Sequence, residues 1–146
     1  MRKTHIALLL VSLAIITTSF KQGPPETWRK DQLIEPSVLA KLMAAKEKQP
    51  IIFSIGFGGG IKNSVVMGPA RDSATLITWK AELAKLPKDA NIVIYCGCCP
   101  FEHCPNVRPA FSLLNDLHFT NAKLLNLAHN LKADWIDKGY PVESKP

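Results

Sequence analysis

All four cysteines of the chain, Cys96, Cys98, Cys99 and Cys104, fall within nine consecutive residues. Packed so tightly, they cannot staple distant parts of a fold together; they make a local site. Cys96 follows the apolar run Ile92–Tyr95, so it is expected at the end of a strand, where the chain turns into a loop and then a helix. Backbone N–H groups of Gly97, Cys98 and Cys99 can curl around a sulfur there as an anion cradle. The downstream helix points its positive end the same way. Both effects favour a thiolate, and a thiolate is a nucleophile able to hold a transferable sulfur atom. On this reading Cys96 is the nucleophile and Cys104 a partner thiol. Arg108 supplies a cation for an anionic donor, and His103 is either a proton carrier or a surface residue.

Other chemistry is open to the same residues. A Cys98–Cys99 disulfide would demand a distorted backbone, whereas one of them with Cys104, or Cys96 with Cys99, closes a loop of ordinary length. Such a partner would resolve a persulfide on Cys96 and make the site redox-gated. The four thiols with His103 also supply enough soft ligands for zinc or copper(I). Their crowding into one segment departs from the paired C-x₂₋₄-C units of structural zinc sites. Cys96–Gly97–Cys98–Cys99 is also a C-x-x-C, but only 42 residues follow Cys104. That leaves too little chain for a thioredoxin-like arrangement, whose motif comes after an early strand. No organic cofactor is expected.

The elements that must position this loop alternate along the chain. Pro36 sits inside a helix that opens near Glu35 and carries Val38, Leu39, Leu42 and Met43 on one side. Pro50 ends it and introduces the buried strand Ile51–Ile55. Gly56–Phe57–Gly58–Gly59–Gly60 fails as a phosphate loop, because Ile61 separates Gly60 from Lys62, and it fails the dinucleotide fingerprint too. A surface turn is expected there, with one wall of a pocket as the second use. Val65, Val66 and Met67 are the expected buried part of the next segment, and Trp79–Leu86 a short helix ended by Pro87. Asn91–Tyr95 forms the strand before Cys96, Pro109–Leu117 a helix, Lys123–Leu127 a strand and Leu131–Lys138 the last helix. Strands alternating with helices predict an α/β fold with a mostly parallel sheet flanked by helices, its site at the carboxyl ends of the strands.

With 146 residues, 47% apolar and 21% charged, the chain suits one globular core. Arg2, Lys3 and the apolar Ile6–Ile16 run read as an export signal over residues 1–19. That run is short of the ~20 residues a spanning helix needs, and a retained membrane tether is the alternative. Export would place the body outside the cytoplasm, in the periplasm or beyond, where disulfides persist. Residues 20–27 read as a linker, 28–143 as the domain and 144–146 as a tail. The formal charge of +6 falls to +4 without Arg2 and Lys3. That suits a small anionic donor, while no basic cluster interleaved with aromatics marks a nucleic-acid surface.

The chain resembles the rhodanese family of sulfurtransferases from about Trp28 to Glu143. Ile92–Val93–Ile94–Tyr95–Cys96 is similar to the family's active strand and nucleophile, and Arg108–Pro109–Ala110–Phe111 to the start of the following helix. Trp135 with Gly139–Tyr140–Pro141–Val142 looks like its closing segment. The resemblance implies that Cys96 takes a sulfane sulfur from a donor such as thiosulfate and passes it to a thiol acceptor. Departures accompany it. The loop is extended to Asn106, Gly56 stands where an Asp-Arg pair is common, and Gly68–Pro69–Ala70 lacks the family's histidine. Ala128–His129–Asn130 replaces paired glycines. A related cysteine phosphatase would need an arginine six positions after the nucleophile, and Glu102 stands there.

Overall fold

A computed structural model describes residues 28–45 and 48–144; the expected export signal and linker lie outside them. After a 3₁₀ turn at Lys30–Gln32, the chain runs β1 (Leu33–Ile34), α1 (Pro36–Ala44), β2 (Ile51–Ser54), β3 (Val65–Val66) and α2 (Ser73–Leu83). It continues through β4 (Ile92–Tyr95), a 3₁₀ turn at Phe101–His103, α3 (Val107–Asp116), β5 (Ala122–Leu125) and a π-helical turn, Lys132–Ile136. The five strands form one sheet in the order β1-β5-β4-β2-β3, and every pairing is parallel. The expected α/β fold with a helix-flanked parallel sheet is therefore present. Among the described residues, no helix is long and apolar enough to cross a membrane.

Both sheet faces are covered, which is why β4 is buried at every position and reads as an unbroken apolar run. Strand alternation sorts its side chains between two cores. Val93 and Tyr95 join Leu39, Ile52, Ile61, Leu125 and Trp135 on one face. Ile92, Ile94 and Cys96 join Phe53, Trp79, Leu83, Val107, Phe111 and Leu114 on the other. Cys96 therefore continues the inward side of β4 after the strand has ended, and its sulfur is delivered onto the face that α2 and α3 cover.

Several elements depart from the sequence expectation. Helix α2 begins at Ser73 rather than Trp79, because Leu76 already packs against the core that Trp79 and Leu83 enter. Val65 and Val66 were expected to be buried, yet they are about half exposed. They form the sheet's edge, where β2 pairs with their backbone and the side chains gain no cover. On α1 only Leu39 is buried, while Val38 and Leu42 are exposed, so the inward stripe is narrower than the apolar spacing suggested. The last helix is a π-helical turn, with Trp135 fully buried and its Nε1–H donated to the Pro141 carbonyl at 2.9 Å.

Candidate thiol site

The parallel register Ser54↔Tyr95 sets the chain after β2 beside the chain after β4. Ile55 N–H extends the ladder to the Tyr95 carbonyl at 2.9 Å, and Gly56 then lies against Cys96. A Cβ on Gly56 would stand 2.6 Å from Cys96 Sγ, so the position accepts no side chain without displacing the sulfur. The glycine-rich turn is thus a surface turn only in part. Phe57 is exposed, while Gly56 forms a wall of the site.

The loop from Gly97 is clamped by the segment after β5. Leu131 N–H donates to the Gly97 carbonyl at 3.0 Å and Phe101 N–H to the Leu127 carbonyl at 3.1 Å. A Cβ on Gly97 would meet Leu131 Cβ at 3.0 Å. That clamping segment is itself fixed by Asp134, whose carboxylate accepts the N–H groups of His129 and Asn130 at 2.7 and 3.1 Å. Nδ1 of His129 also meets that carboxylate, at 2.9 Å.

The four thiols meet in one cluster, with all four Sγ atoms within 4.8 Å of one another. Cys96 and Cys104 are buried, Cys99 is half-buried and Cys98 is exposed; all four are free thiols. Cys98 Sγ lies 3.4 Å from Cys96 Sγ and 3.1 Å from Cys99 Sγ. The cluster runs from a buried floor to solvent, with Cys98 on the outside.

The surroundings favour one negative charge, on Cys96. The S–H of Cys104 is the strongest support; against the cost of burial, the Asn106 amide and the N–H and S–H of Cys98 add to it. Together they hold the Cys96 thiol down at about 5. The neighbours keep their protons. Partial desolvation, then Cys99 and Cys96, push Cys98 up to about 12. Donation to Cys96, then burial, raises Cys104 as well. Of the backbone cradle expected from Gly97 to Cys99, the Cys98 N–H acts on the sulfur.

Asn106 is the functional neighbour to which the sequence reading assigned no role. It stands at the N-cap of α3, yet makes no side-chain cap bond and is buried. Its Oδ1 accepts the Arg71 N–H at 3.0 Å, which fixes the amide so that Nδ2 faces Cys96 Sγ at 3.5 Å. Of the residues at the start of α3, the Asn106 side chain is thus a donor to Cys96. Arg108 lies one residue into α3, with its guanidinium 4.1 Å from the centre of the Trp28 ring. Trp28 packs edge-on against Phe101 and Phe111. His103 ends the 3₁₀ turn and is exposed.

Neither a family model nor a curated protein matches this sequence. Solved structures do match in fold. The Alr3790 protein from Anabaena sp. aligns over 76% of this chain and 91% of its own, with 18% identity and a TM-score of 0.55. Wild-type EanB aligns over 77% of this chain at 19% identity and a TM-score of 0.53. An EanB variant with ergothioneine covalently linked to a persulfide cysteine aligns at 18% identity and a TM-score of 0.55. The chain spans only about a quarter of EanB, 27–28% of its length. At these identities the likeness is one of fold.

Proposed function

We propose that the chain binds a soft metal ion, zinc or copper(I), through Cys96, Cys98, Cys99 and Cys104. The observation that carries this reading is the mutual approach of the four sulfurs to within 4.8 Å. A tetrahedral tetrathiolate with metal–sulfur bonds of about 2.3 Å has sulfur–sulfur edges of about 3.8 Å, so only small side-chain shifts are needed. Soft thiolates select such ions over harder ones. The export signal read at residues 1–19 would put this site outside the cytoplasm. The test is metal uptake by protein purified and kept reduced. One ion per chain is expected, with lowered occupancy in Cys98→Ser and Cys104→Ser. Folded, fully reduced protein that takes up neither ion would overturn the reading.

A specific observation favours a second reading, in which Cys96 carries a sulfane sulfur as a persulfide. One thiolate is singled out at the carboxyl end of β4, held down at about 5 by its neighbours. The fold is shared with EanB, in which a persulfide cysteine is known. Here the chain would be a sulfurtransferase taking a small anionic donor and a thiol acceptor. Exposure of reduced protein to thiosulfate should load about 32 Da of sulfur on Cys96, seen as the adduct or, once a neighbouring thiol displaces it, as released sulfide, and Cys96→Ser should abolish both. Thiosulfate or inorganic polysulfide that gives neither an adduct nor released sulfide would exclude it.

A further inference from the structure

Resting on the persulfide reading, we propose a further activity: Cys98 resolves a persulfide on Cys96, releasing hydrosulfide and leaving a Cys96–Cys98 disulfide. Loading with thiosulfate breaks the donor's sulfur–sulfur bond. The Cys96 thiolate gains the sulfane sulfur and sulfite departs. In the second step Cys98 Sγ bonds to Cys96 Sγ, and the bond to the outer sulfur breaks. That sulfur leaves with the electron pair and takes the proton of Cys98 as HS⁻. The two thiols are oxidised by two electrons in total, and the sulfane sulfur is reduced by the same two. Restoring the dithiol requires an external thiol reductant.

Three observations assign the step to Cys98. Its sulfur already lies 3.4 Å from Cys96, so forming a bond of about 2.05 Å asks for a movement of roughly 1.4 Å. Cys98 is exposed in the bend after β4, where its side chain has room to make that movement. Cys96, by contrast, is only 3% exposed, with Gly56 against its sulfur and Asn106 bonded to it. An external thiol would have to be captured from solution, whereas Cys98 is in place beside the sulfur, with the advantage of an intramolecular reaction. Cys99, half-buried, has its sulfur 3.1 Å from that of Cys98. The activity differs from carrying sulfur to an acceptor, because its product is free sulfide.

The experiment treats reduced full-length protein, freed of reductant, with one equivalent of thiosulfate, and follows sulfide and intact mass together. Wild type should release close to one sulfide per chain and end about 2 Da lighter than the reduced protein, with Cys96 and Cys98 in the disulfide. Cys98→Ser and Cys98→Ala should keep the adduct of about 32 Da and release at least tenfold less sulfide. A stable persulfide on wild type, or undiminished sulfide from the Cys98 variants, would overturn this activity and leave the persulfide reading standing. No adduct in any of these proteins, and no sulfide, would remove both.

Discussion

Replacing Asn106 by alanine isolates the side chain that joins the Arg71 backbone to Cys96. The amide donates to Cys96 Sγ at 3.5 Å. Hydrogen bonds to charged groups contribute about 1.5–3 kcal/mol, and this one is long and shared with other donors, which places it near ~2 kcal/mol. At 1.36 kcal/mol per pH unit, the loss corresponds to about 1.5 units. The sign follows from the acid: a donor that stabilises the anion lowers the midpoint, so its removal raises it. The Cys96 midpoint, about 5 in the native protein, should rise to roughly 6–7 in Asn106→Ala. Reactivity at mildly acidic pH is then lost first. The plateau rate at higher pH should increase about fivefold, because intrinsic nucleophilicity rises with basicity by a Brønsted slope of about 0.4–0.5. The assay is the pH profile of Cys96 alkylation, resolved from the other three thiols by fragment-ion mass spectrometry. A general loosening of the fold would instead carry the midpoint all the way toward the ordinary thiol value of about 8.5, past the roughly 6–7 expected from losing one donor. An unchanged midpoint would refute the assigned role of Asn106.

Other consequences follow from the same contacts. Gly56→Ala sets a Cβ 2.6 Å from Cys96 Sγ, and overpacking of that kind costs about 1–3 kcal/mol; thermal unfolding should show the loss, and native thermal stability would argue against the close contact. Asp134→Ala removes the carboxylate that accepts two backbone N–H groups and meets His129 Nδ1. Amide exchange at Leu131 and Phe101 should quicken in that variant, with stability lower by about 1–2 kcal/mol; unchanged exchange would mean the clamp does not depend on Asp134. Metal uptake should release protons at neutral pH, because Cys98 and Cys104 are held protonated there while Cys96 is not. The release should exceed one proton per ion in weakly buffered titration, and a proton-neutral uptake would contradict that charge arrangement.

The features legible in the sequence were those set by local pattern. Ile92–Tyr95 announced a buried strand, and its end located Cys96, since an apolar run covered on both faces leaves little ambiguity. Pro36 and Pro50 framed α1 and the start of β2 because proline restricts the backbone wherever it stands. What remained hidden depended on register and side-chain direction. Gly56 touches Cys96 only because β2 and β4 are parallel neighbours with Ser54 opposite Tyr95. Asn106 at a helix start ordinarily signals a cap; its use depends on the Arg71 N–H arriving from 35 residues away. Val65 and Val66 show the opposite failure. Two valines suit a buried strand, but the edge position that exposes them is a property of the whole sheet.

Four sulfurs so close together should act as one binding unit around Cys96. The decisive measurement titrates reduced protein with zinc or copper(I), alkylates at each step and counts modified cysteines by mass. One ion per chain protecting Cys96, Cys98, Cys99 and Cys104 together is the outcome expected from their mutual approach within 4.8 Å. Saturating metal that leaves two or more of these thiols as reactive as before would contradict it.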